Sequence, residues 1–145
     1  MKHILTILLL TVAFHCTSAQ STNDFLISGA MDLLKTDNNK LLSKAQVGFE
    51  VNYFLQRHFA LGAGAEFWTG QKSSFVLGAR YYTNENIFFR FRGLIGANDA
   101  ALGVGYAKPI NRNFRFEAMG DLYFARPDFA VRAGLSYVIN YVTRK

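Results

Sequence analysis

Cysteine occurs once, at Cys16, and proline only twice, at Pro109 and Pro127. One cysteine excludes an internal disulfide framework and a thiolate metal site. Past residue 20 the only histidine is His58, which argues against a zinc site and against a histidine-assisted nucleophile set. Long apolar runs are also missing. The longest, Ile4 to Phe14, is broken by Thr6 and Thr11 and falls short of the ~20 residues a membrane helix needs. Glycine pairs such as Gly62-Ala-Gly64 and Gly103-Val-Gly105 sit in strand-like sequence with no helix after them, so no phosphate-cradling loop is expected.

The first segment has the layout of a secretory signal. Lys2 and His3 precede the apolar run, and Thr17-Ser18-Ala19 offers small residues for cleavage. Cleavage after Ala19 leaves residues 20–145. Acylation at Cys16 is disfavoured because His15, not a small residue, precedes it. The formal charge is +6, but the basic residues are scattered and a secretion signal argues against nucleic acid as a partner.

The rest divides into eight segments, at about 24–35, 42–55, 59–69, 74–83, 87–97, 100–108, 114–124 and 129–141. Turn-forming sequence separates them: TDNNK (36–40), QRH (56–58), GQK (70–72), TNEN (83–86), AND (97–99), PINRN (109–113) and ARPD (125–128). Both prolines fall in these connections. Eight evenly spaced segments of roughly ten residues read as an antiparallel meander.

Alternation within each segment is strict. In 114–124, Phe114, Phe116, Ala118, Gly120, Leu122 and Phe124 share one face, while Arg115, Glu117, Met119, Asp121 and Tyr123 share the other. Across the chain Asp32, Glu50, Glu66, Glu117 and Asp121 fall on the polar face with Lys44, Arg80, Arg90, Arg92, Arg115 and Arg132. The remaining charges lie in turns or at segment ends. A one-residue slip would turn the whole charged set to the apolar face.

Mean hydropathy is only +0.08, because apolar and polar positions cancel. The polar face is rich in glycine, alanine and serine and nearly free of lysine, unlike a solvated face. Its charges are mostly arginine with carboxylates, the types suited to buried pairs. The apolar face is too bulky to fit inside a narrow barrel. The polar face is therefore expected to line the lumen. The apolar face is expected to meet lipid, with Phe25, Phe59, Phe67, Phe75, Tyr81, Phe89, Tyr106, Phe114, Phe124, Phe129 and Tyr141 as aromatic girdles. A soluble secreted barrel with a lipophilic ligand inside is the alternative arrangement.

On this alternation, on the Ser-Ala-Gln junction at 18–20 and on the last segment, Arg132-Ala-Gly134-Leu-Ser-Tyr137-Val-Ile139, the chain resembles small eight-stranded outer-membrane barrels. It resembles in particular the minimal porin-like β-barrel proteins of Bacteroidota. The resemblance covers residues 20–145 and implies an all-β, up-and-down transmembrane barrel in the outer membrane of a Gram-negative cell. Gly134, Tyr137 and Ile139 then belong to a terminal signal read by the outer-membrane insertion machinery. Ile139 stands where an aromatic is commoner, and six residues follow it. The resemblance also implies that both termini, with QRH, TNEN and PINRN, face the periplasm.

The expected role is structural or accessory, with a side-chain-filled lumen, at most a narrow pore and no cofactor or metal. Some such barrels modify lipids, but His58 lies in a turn at the wrong end for that chemistry. Partners are expected to be membrane lipid, the insertion machinery and, on the flat places left by Gly29, Gly93, Gly120, Ala63, Ala65 and Ala118, another membrane protein.

Overall fold

Residues 21–35, 46–68, 73–125 and 127–140 are described by the computed structural model. The eight alternating segments are strands: β1 (Phe25–Lys35), β2 (Gln46–Gln56), β3 (Phe59–Trp68), β4 (Ser74–Tyr82), β5 (Ile87–Ile95), β6 (Asp99–Pro109), β7 (Phe114–Tyr123) and β8 (Phe129–Ile139). Each pairs antiparallel with its neighbours in sequence, and β8 returns to pair with β1. The result is a closed eight-stranded antiparallel barrel, with no helix among the described residues. Closure satisfies the backbone groups that an open sheet leaves at its two edges.

The expected signal segment, Lys44, Tyr141 and the expected starts and ends at 42–45, 69 and 140–141 touch or lie outside the described residues, apart from Asn140. Elsewhere the sequence-based limits hold to within two residues. Two need correction. Pro109 is not in a connection but is the last residue of β6, opposite Arg115. A proline fits there because β6 has outrun its pairing with β5, which ends at Tyr106, so no partner on that side needs its missing N–H. The β5 strand stops at Ile95, not 97, because Gly96 (φ 112°) and Asn98 (φ 52°) take left-handed conformations in a tight turn.

The short connections at one end are built alike. Asn84 Oδ1 accepts from Asn86 N at 2.9 Å and Ile87 N at 2.7 Å. Asn111 Oδ1 accepts from Asn113 N at 2.9 Å and Phe114 N at 2.7 Å. Asparagine is placed in both turns because its side chain substitutes for a backbone acceptor. These turns, the 57–58 turn and the described ends of the chain share one rim, here called the turn rim.

Two register shifts interrupt the ladder, between Asp32 and Leu34 on β1 and between Phe54 and Gln56 on β2. At the first, Leu33 and Leu34 both point outward. The bulge keeps Asp32 aimed inward while the strand continues.

Candidate functional site: a filled, charged lumen

Alternation places the polar set inside. Glu66, Arg80, Arg90, Arg92, Arg115, Glu117, Asp121 and Arg132 are each at most 2% exposed. Asp32 and Glu50 keep 4% and 11% of their side chains exposed. All ten residues expected in the lumen are there. Asp32, Glu50, Glu66, Arg80, Arg90, Arg92, Glu117, Asp121 and Arg132 are joined in one network.

Glu50 is one centre of it. It accepts from Arg80 Nη2 at 3.0 Å and forms ion pairs with Arg92, whose Nε lies 2.7 Å away, and with Arg90, whose Nη1 lies 4.0 Å away. Arg80 and Arg90 are direct cross-strand partners, so two like charges face each other. Glu50 sits between them and offsets the repulsion that such a pair carries. Arg80 also donates to Glu117 at 3.0 Å and to Ser28 Oγ at 3.0 Å, and its guanidinium lies 5.1 Å from the Phe88 ring centre.

Glu66 is the second centre. Arg132 Nη1 donates to it at 2.6 Å, and Arg92 and Gln46 also donate to it. Arg132 continues to Asp32, and Arg90 Nε donates to Asp121 at 2.8 Å. Within the belt and its flank, the five carboxylates of Asp32, Glu50, Glu66, Glu117 and Asp121 stand against the five guanidiniums of Arg80, Arg90, Arg92, Arg115 and Arg132, while Asp24 is buried separately at the turn rim. Arg115 is buried opposite Ser136, toward the turn rim from this belt.

Glycine makes the network fit. Arg90, Gly103 and Asp121 are consecutive partners in one row across β5, β6 and β7. A Cβ at Gly103 would strike the Asp121 carboxylate and come within 3.2 Å of Arg90 Cγ. The missing side chain is the space in which Arg90 and Asp121 meet.

Apolar layers close the belt at both ends. Toward the turn rim Leu26, Phe54, Ala60, Tyr82, Phe88, Ala107, Met119 and Val138 form one buried cluster. Within it the Tyr82 ring lies 5.6 Å from Phe54 and 5.2 Å from Phe88. At the other end Leu94, Ala101, Tyr123 and Ala130 pack with Trp68, whose ring stands edge-on to Tyr123 at 6.3 Å. The sequence expectation treated this face as polar throughout and missed these layers. The parity that put Phe54, Phe88 and Tyr123 inside was readable. Their clustering at strand ends was the signal.

The outer wall has the opposite character. Phe25, Phe67, Phe75, Tyr81, Phe89, Tyr106, Phe114, Phe124 and Phe129 are exposed, as the girdle expectation requires, and Phe59 is half-buried. Tyr137 and Ile139 of the expected insertion signal face outward on β8, and Gly134 faces the lumen. Tyr137 stacks edge-on against Phe114 at 4.8 Å. His58 is exposed in the 57–58 turn. No group of three or more metal-ligating side chains occurs among the described residues.

No protein-family model matches this chain, and no curated protein matches it in sequence. Solved structures do resemble it in shape. A de novo designed transmembrane β-barrel superposes with TM-score 0.65 at 13% identity, covering 83% of this chain and 98% of the design. The N-terminal β-barrel domain of Pseudomonas aeruginosa OprF gives 0.56 at 14% identity, covering 83% of this chain and 100% of that domain. EF1p2_mFAP2b, solved bound to DFHBI, gives 0.55 at 6% identity, covering 83% of this chain and 98% of that one. At such identities the likeness concerns the fold: this chain shares the closed eight-stranded barrel of transmembrane and ligand-bound proteins alike.

Proposed function

We propose that the chain is an integral outer-membrane β-barrel of structural or accessory type. One observation carries this reading: the charged belt lies inside, and large apolar side chains cover the outside of all eight strands, with Lys108 near the turn rim as the outward cation among the described strand side chains. In water that arrangement would expose a contiguous apolar surface far beyond what soluble monomers tolerate. In a bilayer it is the arrangement of lowest energy, because each outward charge at mid-depth costs ~2–4 kcal/mol for lysine or arginine. The transmembrane design and the OprF barrel domain among the structural neighbours support the same reading.

The charged belt and its two apolar layers fill the lumen. The role that fits is a wall-presenting or membrane-organising one, with at most a narrow, interrupted path for water or small solutes. Catalysis is not part of it. The turn rim, with both chain ends, faces the periplasm. The last strand, with Gly134, Tyr137 and Ile139, is the segment the insertion machinery reads, and the Bacteroidota porin-like class remains the family of best fit.

Electrophoresis tests the reading. Detergent-solubilised protein, left unboiled, is expected to run ahead of the boiled sample as a closed, detergent-resistant barrel. Absence of that shift, together with full solubility in plain buffer, would reject the membrane assignment in favour of a soluble barrel that binds a lipophilic ligand.

A further inference from the structure

The outer wall carries a groove of about 530 Å³ across β7, β8, β1 and β2. Gly29 and Ala133 form its floor, and Phe116, Leu135, Met31 and Phe49 its edges. The Phe49 ring leans over the gap that Gly29 leaves, with Cε1 3.4 Å from where a Cβ would stand.

The ladder connects this groove to the turn rim. Lys108, Phe116, Leu135, Gly29 and Phe49 are successive partners in a single row. Lys108 therefore stands one strand from the groove's edge. Alternation turns it outward, between buried Ala107 and the exposed residues that follow. Among the described strand side chains it is the one cation on the outer wall. Arg112 follows in the 110–113 turn and is exposed. Ile110, between the two, is 63% exposed. No acid occurs in the sequence from residue 100 to residue 116, and Glu117 is turned inward onto Arg80. The basic 57–58 turn on the same rim differs: Arg57 is paired with Glu85 at 3.4 Å.

Two cations without an ion-pair partner among the described residues, an exposed isoleucine between them and an apolar groove beginning one strand away have the order of a phospholipid. Lysine and arginine lay their stems along apolar surface and carry the charge to headgroup level. We propose that the β6–β7 hairpin and the adjoining groove bind one anionic phospholipid. Its phosphate sits between Lys108 and Arg112, and an acyl chain lies past Phe116 and over Gly29. Zwitterionic lipids fit less well because their own cation faces the same two side chains. The proposal rests on the membrane reading above.

Native mass spectrometry of barrels released from mixed phosphatidylcholine and phosphatidylglycerol tests it. Wild type should retain phosphatidylglycerol in preference to phosphatidylcholine. Each of Lys108→Gln and Arg112→Gln should lower that preference about fivefold, the equivalent of one basic residue near an anionic surface. Arg57→Gln should leave it unchanged. Gly29→Leu, which fills the groove, should reduce retention of both lipids while the heat-dependent gel shift persists. Equal retention of the two lipids by wild type, or an unchanged preference in the Lys108/Arg112 double variant, overturns the lipid site while leaving the membrane assignment intact. A chain that inserts into neither kind of vesicle overturns both.

Discussion

Arg132 holds its Nε 2.5 Å from Asp32 Oδ1 across β1 and β8, the pair of strands that closes the barrel. The two are direct partners in the ladder, and Arg132 also donates to Glu66. Removing the guanidinium takes the Arg132 ion pair from buried Asp32 and leaves Glu66 with Arg92 and Gln46 of its three donors. Arg132→Met is expected to destabilise the barrel by about 3–5 kcal/mol, the usual consequence of breaking a buried pair from one side. Adding Asp32→Leu should recover part of the loss and not all, since Glu66 remains. Urea unfolding in detergent, followed by Trp68 fluorescence, measures both variants. A loss below about 1 kcal/mol in Arg132→Met would show that the clamp is not a unit.

Gly105 and Phe88 are also ladder partners, and a Cβ at Gly105 would run into the Phe88 ring. Gly105→Ala should therefore destabilise by about 1–3 kcal/mol through overpacking. Phe88→Ala alone should be worse, at about 3–5 kcal/mol, because it opens a cavity in the apolar layer. The double variant should be more stable than the two losses added together, by more than about 0.5 kcal/mol. Strict additivity would mean that the two positions do not share space.

Leu102 faces outward midway along β6. Leu102→Arg distinguishes a lipid-facing wall from a wet one. In vesicles the variant should lose about 2–4 kcal/mol. On a water-facing wall the same change would be near neutral and would raise solubility.

Salt should separate the two kinds of ion pair. Arg57 and Glu85 meet at the rim with Arg57 half-exposed. Breaking that pair should change stability by less than about 1 kcal/mol and lose even that effect at high salt. The belt pairs around Glu50 and Glu66 are shielded from ions, so their variants should keep the same stability differences from wild type in 0.1 M and 1 M salt. A belt variant whose loss vanishes at 1 M would imply that salt water reaches the belt.

Conductance follows from the two apolar layers. In a planar bilayer the wild-type barrel should show no sustained open level. Phe54→Ala with Phe88→Ala should remain silent as well, since the belt of Arg80, Arg90, Arg92 and Arg132 still fills the lumen beyond them. A steady, porin-sized current from wild type would contradict the filled lumen.

The barrel was legible in the sequence because one periodicity governs every strand. Once Arg115, Glu117 and Asp121 alternate with Phe114, Phe116 and Leu122, the side on which each charge lies follows from the pleat. Which charges meet is a different matter. Arg132 and Glu66 are 66 residues apart, and their contact depends on strand stagger around the ring. Alternation does not encode stagger. The end of β5 depended on left-handed turn geometry at Gly96 and Asn98, which overrode an apolar pattern. Pro109 was read as a connection because proline breaks ladders, yet β6 extends beyond its neighbour β5 at that point and has no bond there to lose. The apolar layers were hidden by classifying a face as polar from its majority, when Phe54, Tyr82 and Phe88 on that same face occupy its end.

The return of β8 to β1 has a consequence for assembly. Every described strand has a neighbour on both sides, so among the described residues no strand offers a whole free edge to another chain. Amyloid-like stacking and strand donation both begin at such a ladder. A companion that docks on the described wall of the folded barrel therefore meets side chains and not an open strand edge.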